Sequence, residues 1–340
     1  MPDWIQSEAE HEDRLSTPSA EDVALFRDLE GDLIIIGVAG KMGPSLARRA
    51  ARAARAAGAP RRIIGISRFF TPSAELFLQQ AGVETLRTDL LASGAISALP
   101  DARNVIFMAG RKFGSTGAES LTWAMNAYLP ALVAERFHQA RIVAFSSGSI
   151  YPLVPVESGG ATEEMPPAPI GEYAQSVLAR ERMFEHFSRR HETPVTLLRL
   201  NHAIDLRYGV LLDIANKVFE GRSVDVTRGF VNVIWQGDAN SVALRSLVHA
   251  QSPPFVLNLA GAETLSVRTL AKRFGEIFGR EPVLEGQEAP TALLGNASRC
   301  HRLFGSPAVT VEQMIEWTAQ WISSKGPTLN KPNGFLEPGG

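Results

Sequence analysis

The sequence predicts an α/β protein built on a doubly wound parallel sheet, with a smaller second part after it. Three observations carry that prediction. Short apolar runs alternate with helical patterns between about Leu33 and Leu200, the order expected of parallel strands joined by helical crossovers. A glycine-rich turn joins the first apolar run to the first helix of this series. Beyond Leu200 the alternation loosens into shorter pieces.

Taken in order, residues 1–30 read as an extension, polar and acidic at first. Thr17-Pro18-Ser19-Ala20-Glu21 has the form of a helix start, and Val23-Ala24-Leu25-Phe26 predicts a short helix packed on the body. A partly ordered tail is the plainer expectation for this extension; an arm reaching a neighbouring subunit is the alternative.

Leu33-Ile34-Ile35-Ile36 predicts a buried strand. Gly37, Gly40 and Gly43 follow, with Lys41 and Met42 between them, and a helix begins at Pro44. Backbone N–H groups and the positive dipole end at such a helix start suit a pyrophosphate. Glycines let the ligand approach the backbone closely. The spacing is G-x-x-G-x-x-G rather than the commoner G-x-G-x-x-G, and the plain alternative is an ordinary strand-to-helix turn.

Pro44 to Ala57 reads as an Ala/Arg-rich helix whose Arg48, Arg52 and Arg55 share a face expected to be solvated. Strands are predicted at Arg62–Ser67, Val83–Arg87, Asn104–Ala109, Arg141–Ser146 and Val195–Leu200. Long helices are predicted at Glu119–Gln139 and Glu172–Arg190. Further on, helices are expected near Leu211–Phe219, after Asp238, at Leu265–Phe278 and at Val311–Ile322. Strands are expected near Phe230–Ile234 and at Phe255–Leu259. From Lys325 the tail, rich in Gly, Pro and Asn, reads as irregular. The expected division is an extension at 1–30, a dinucleotide-binding domain at 31–200, a substrate-binding part at 201–325 with a contribution from 151–170, and a tail at 326–340.

At 340 residues the chain is long enough to bury a large core. A net charge of -2 disfavours nucleic-acid or membrane-surface binding through bulk charge. Cys300 is the single cysteine, which excludes an internal disulfide and a cysteine metal cluster. The seven histidines have no metal-ligand spacing, so no metal is expected. The acidic N-terminal stretch lacks an apolar signal region, and no apolar run approaches transmembrane length. A cytoplasmic protein is the resulting expectation.

At the end of the second strand stand Ser67 and Arg68, with no acidic residue. In dinucleotide folds an acid there suits the ribose hydroxyl of NAD, whereas an arginine suits the 2′-phosphate of NADP. Arg68 can pair with phosphate and stack on adenine, and Lys41 would add a second positive charge. NADP is therefore preferred over NAD. The plain alternative for both residues is a solvated surface charge.

With these residues on the page, the chain from about Leu33 to Ile322 resembles the extended short-chain dehydrogenase/reductases, specifically their NAD(P)-dependent epimerase/dehydratase group, whose sheet is of the Rossmann type. GVAGKMG has the family spacing. Asp89-Leu90 looks like the family pair that holds adenine. Met108-Ala109-Gly110 stands where relatives place small residues under the cofactor, and Asn126 stands like the family's structural asparagine. Phe145 to Tyr151 looks like the segment carrying the catalytic serine, Phe230–Asp238 like a strand-Asp-helix segment, and Ala292–Gly305 like a late helix.

The resemblance implies that Ser147 and Tyr173 share a proton path to the substrate oxygen, with Tyr173 as acid/base. By the same resemblance, a hydride would leave a carbinol carbon for the nicotinamide while Ser147 orients the oxygen. The family's lysine, four residues after the tyrosine, is replaced by Val177. A tyrosine of ordinary pKa, about 10, is a poor base at neutral pH. Three explanations stay open. Another cation substitutes, with Lys112 in the Gly110-Arg111-Lys112-Phe113-Gly114 loop ahead of Arg180. Or the oxidised cofactor's charge and Ser147 suffice. Or the protein binds cofactor without catalysis, as a sensor or partner protein.

Asn201 and His202 follow the strand after which relatives contact substrate, and Arg207-Tyr208 face the cleft or form a loop salt link. Trp317 and Trp321 read as core. The implied substrate is a small carbohydrate: a sugar, sugar acid or nucleotide-linked sugar. A homodimer through the two long helices is a further expectation from the resemblance.

Overall fold

The computed structural model describes residues 4–59, 61–112 and 117–329. Seven strands form one parallel sheet. In chain order they are Leu33–Ile36 (β1), Ile63–Ser67 (β2), Glu84–Arg87 (β3), Asn104–Phe107 (β4), Arg141–Ser147 (β5), Val195–Leu200 (β6) and Phe255–Leu259 (β7). Across the sheet the order is β3-β2-β1-β4-β5-β6-β7. The chain therefore winds one way from β1 to β3 and the other way from β4 to β7. The reversal lies between β1 and β4, paired in register from Leu33 with Asn104 to Ile36 with Phe107. In open parallel sheets a ligand crevice forms outside the strand ends at such a reversal.

The central strands are near-continuous apolar runs because helices cover both faces. Leu33 to Ile36 are all fully buried. Their alternate side chains feed two cores. Leu33 and Ile35 join Leu46, Ala50, Val143 and Leu257 on one face; Ile34 and Ile36 join Val105, Leu129 and Phe184 on the other. A third core lies outside the sheet, built from the later part of the chain together with Ile5 and Leu15 of the extension, and contains Trp317 and Trp321 as the sequence predicts. The later part also returns to the sheet, supplying β7 and the covering helix Gln236–Arg245.

The largest departure concerns the extension. It folds as two helices, an unpredicted one at Glu8–Ser16 and the predicted one at Ala20–Asp28, capped by Ser7 and Ser19. Leu15 and Phe26 are fully buried. Asp22 accepts a 2.6 Å bond from Arg49 Nε and another from Ser241. The extension is thus anchored to the body of its own chain, not a tail. The face of the Gly43–Ala56 helix expected to be solvated is partly covered by it: Arg48 and Arg52 both reach Asp13. Local pattern gave little sign of this, because the buried groups include His11 and Asp22, whose partners lie far along the chain.

Other differences are local. A helix at Pro72–Gln80 was not foreseen. The helix expected over 119–139 is three pieces in line: Glu119–Trp123, a π-helical turn at Ala124–Tyr128, and Leu129–Arg136. Strand residues 230–234 divide at Asn232, whose side chain holds the Glu263 carbonyl and the Gly295 amide. Ser266 caps a helix that starts at Val267, two residues later than expected. Phe113 and Gly114 lie outside the described residues, as does the tail from residue 330 onward.

Candidate active site

The glycine turn runs from β1 to the Gly43–Ala56 helix at the point where the sheet reverses. Gly37 has φ +87°, and a Cβ there would lie 2.6 Å from the Ala109 amide nitrogen. Any side chain would push β1 off the end of β4. A Cβ on Gly43 would lie 2.1 Å from the Val38 carbonyl oxygen. Gly40 closes the turn by donating its N–H to Gly37 O at 3.0 Å. The helix begins with no side-chain cap at Met42. Its first amides are therefore not engaged by a capping side chain, as suits a phosphate group. Behind them, Ser45 receives Gln236 and Asn240, fixing this helix to the later part of the chain.

At the end of β2 Ser67 is half-buried and Arg68 exposed, its guanidinium 4.5 Å above the ring of Phe70. Phe70 is 79% exposed, whereas Phe69 between them is buried with φ +45°. A non-glycine residue held in that conformation is strained, and such strain clusters at ligand sites. Asp89 caps the turn after β3 through its carboxylate and Leu91 N, and Leu90 turns into the core.

Lys41 leaves the glycine turn towards the later part of the chain. Its ammonium donates to Ala203 O at 2.7 Å and lies 4.3 Å from the Tyr208 ring centre. Burial lowers its pKa to about 7, against the pull of Asp205. Arg207 forms the loop salt link, pairing with Asp205, Glu8 and Glu12. His202 is held neutral, its pKa lowered to about 3 by burial and by the charges of Lys112 and Lys41. Asn201 lies against Gly148, where a Cβ would be only 1.9 Å from its amide oxygen.

Ser147 ends β5, and its hydroxyl accepts from the N–H and the hydroxyl of Ser149. Tyr173 stands in the first turn of the Gly171–His191 helix, where Ser147 acts on its phenol. Burial raises the Tyr173 phenol pKa; the charge of Arg180 and the Ser147 hydroxyl pull it down. Val177 is fully buried. Tyr151 is a different kind of tyrosine: its hydroxyl donates to Asn258 and accepts from Arg199, inside the protein.

Asn126 sits in the π-helical turn and organises the loop after β4. Its Oδ1 accepts from Arg111 N at 2.8 Å and Arg180 at 2.9 Å; its Nδ2 donates to Arg111 O and Ser176. Single π-turns inside helices recur at functional sites because they re-aim one side chain. Lys112 is exposed, and surrounding protein lowers its pKa. Its charge acts on Lys41 and His202. Among the described residues Arg180, placed second to Lys112 in the sequence, is a cation whose charge acts on Tyr173. The signal available was a lone arginine on the apolar helix stripe of Ala174, Val177 and Phe184.

Among the described residues no group of three or more His, Cys, Asp or Glu side chains could hold a metal ion, and no helix is long and apolar enough to cross a membrane.

A glycine turn at the reversal of a parallel sheet is the arrangement in which α/β proteins of the dinucleotide-binding fold place their ligand. The sequence model of the NAD dependent epimerase/dehydratase family matches residues 33–207, and the chain belongs to that family. The match starts after the two N-terminal helices. No curated protein sequence matches this one.

Solved structures share the fold at low identity. UDP-glucose 4-epimerase from Thermotoga maritima is 15% identical, with a TM-score of 0.70 over 86% of this chain and 99% of its own. UDP-glucuronic acid 4-epimerase from Bacillus cereus, solved with UDP-glucuronic acid and NAD, is 16% identical, with a TM-score of 0.71 over 86% and 99%. A short-chain dehydrogenase/reductase superfamily protein from Agrobacterium tumefaciens with bound NAD is 17% identical, with a TM-score of 0.70 over 86% and 97%.

Proposed function

We propose that this protein carries out NAD(P)-dependent redox chemistry on a carbohydrate-type substrate: a sugar, sugar acid or nucleotide-linked sugar. The observation that carries the reading is the placement of Ser147 at the end of β5 and Tyr173 in the first turn of the Gly171–His191 helix, where Ser147 acts on the phenol and draws its pKa down. The tight turn and side-chain-free helix start fit a dinucleotide pyrophosphate. Gly37, Gly40, Lys41, Met42 and Gly43 would border it, with Ser67, Arg68, Asp89 and Leu90 at the adenosine end and Ala109, Gly110 and Asn126 at the other. The bound dinucleotide supplies the hydride acceptor or donor.

Tyr173 takes the proton from the substrate hydroxyl or returns it to a carbonyl oxygen. Ser147 orients that oxygen by hydrogen bonding. Asn201, His202 and Lys112 line the substrate side, and His202 serves there as a neutral hydrogen-bonding group. Arg68, above the exposed Phe70 ring, favours NADP.

Nucleotide released from protein purified without added cofactor, and its redox state, tests the class. Tightly held nucleotide fits a reaction that recycles its hydride; reversible uptake fits a dehydrogenase or reductase. Tyr173→Phe is expected to lose two to four orders of magnitude in turnover, on the order of the share of a positioned acid/base group, while keeping nucleotide affinity. Full turnover in that variant would sink the acid/base assignment. Arg68→Ala is expected to weaken NADP by on the order of tenfold, the worth of a charge-assisted hydrogen bond, and NAD far less; equal losses would refute the preference. The buried Val177 favours one second reading, a non-catalytic NADP(H)-binding protein. Cofactor binding without turnover of any sugar-type substrate would support it.

A further inference from the structure

The Gly171–His191 helix carries two adjacent charged residues on its buried side, Arg180 and Glu181, and they are treated differently. Glu181 is committed elsewhere, to Arg199 and Ser146. Arg180 is 6% exposed and, among the described residues, forms no ion pair. Its guanidinium donates to the Phe145 carbonyl at 2.7 Å and to Asn126 Oδ1 at 2.9 Å, and lies 5.5 Å from the Phe107 ring centre. Its Nε is buried with no partner. All of its hydrogen-bond acceptors are neutral.

A buried cation without a carboxylate is costly to keep. Bracing Phe145 O and Asn126 requires only a neutral donor, so the brace does not account for the charge. The geometry does. Tyr173, Val177 and Arg180 lie at i, i+4 and i+7, on one face of the helix. From two turns away Arg180 folds back under the end of β5, beside Phe145 and two residues before Ser147. Gly110 leaves the space, since a Cβ there would lie 2.4 Å from the Arg180 guanidinium.

We propose that Arg180 fills the place left by the missing lysine: it is the buried countercharge that stabilises the phenolate of Tyr173, with Asn126 and Gly110 holding it there. This rests on the reading of Tyr173 as acid/base. Arg180 acts through Tyr173 and is a positioning residue. Among the described residues, the groups acting on Tyr173 are Arg180 on its own helix and Ser147 on β5; those acting on Arg180 are Tyr173, Glu181, Asn126, the Phe145 carbonyl and the Phe107 ring. Glu181 opposes the effect only weakly, being neutralised by Arg199 from β6. Lys112 directs its charge at Lys41 and His202.

The test reads the phenol itself. A 3,5-difluorotyrosine placed at position 173 ionises below the ordinary tyrosine range, and its fluorine resonance follows the ionisation in the full-length protein without substrate. Arg180→Met is expected to raise that ionisation by about one pH unit or more, the usual effect of losing a nearby opposite charge. Arg180→Lys should keep part of the effect, and adding Val177→Lys to Arg180→Met should restore much of it. Thermal midpoints taken on the same samples separate this from loss of fold. An unchanged ionisation in folded Arg180→Met protein overturns the proposal. Should that variant not fold, Gly110→Ala, which displaces the guanidinium, must raise the ionisation part of the way, and no rise there overturns it equally. Failure of the acid/base reading is seen separately, as retained turnover in Tyr173→Phe.

Discussion

Two arginines lie buried close together behind the end of β5, and they are built on opposite principles. Arg199, from β6, meets Glu181 through two nitrogens at 3.0 and 2.8 Å and also holds the Tyr151 hydroxyl at 2.6 Å. Burial works against its charge, yet the bond and charge of Glu181 hold its pKa above the ordinary guanidinium value. Arg180 meets carbonyl and amide oxygens alone, and burial lowers its pKa. A buried pair that satisfies itself is structural; a buried charge left without a partner is available to something else. On the proposed reading of Tyr173, the unpaired charge lies on the side of the helix with Tyr173 and Gly110, and the self-satisfied pair lies on the side with Tyr151.

The sharpest way to break this contrast is to delete each guanidinium. Arg199→Met strands the Glu181 carboxylate in the interior and is expected to cost about 3–5 kcal/mol of stability, read as a lowered urea midpoint. Arg180→Met strands no carboxylate, and its stability change is expected to stay within about 1 kcal/mol. Equal losses in the two variants would remove the distinction.

His11 extends the rule to a titrating group. It is fully buried between Trp235 and Trp321, 3.7 Å from Asp205, and burial lowers its pKa to about 4. At neutral pH it is uncharged in both folded and unfolded chains. As pH falls from about 6.5 towards 4 the unfolded chain takes the proton first, so stability falls across that window and His11's part levels off below it. The loss amounts to roughly 3 kcal/mol for a pKa lowered to about 4. His11→Gln should flatten that part of a stability-against-pH curve; an unchanged slope would refute the assignment.

Much of the fold was legible because it rests on local signals. Leu33–Ile36 must be buried on both faces, and the glycines behind it permit the tight return into a helix. The bounds of β6 and β7 agree with their apolar runs. Ser147 and Tyr173 were legible as residues by their spacing. The first N-terminal helix was not, whereas the second, Ala20–Asp28, agrees with its predicted start and its packing on the body. Glu8–Ser16 is polar in sequence, and its burial depends on Arg207, Asp205 and Trp321, some 200 or more residues away. The π-helical turn at Asn126 was also invisible, because its register is set by contacts with Arg111, Ser176 and Arg180.

The sequence by itself determined the parallel sheet, the glycine turn between its first strand and helix, and the valine four residues after Tyr173. Only the tertiary structure showed that Arg180, without a carboxylate partner among the described residues, is the cation proposed to serve that tyrosine. Sequence spacing measures distance along one helix, and it favoured a loop lysine near the expected cofactor. Which charges meet depends on burial and on partners from other strands. Glu181 was claimed by Arg199 from β6, and Arg180 was left to face Tyr173 across the space that Gly110 leaves open.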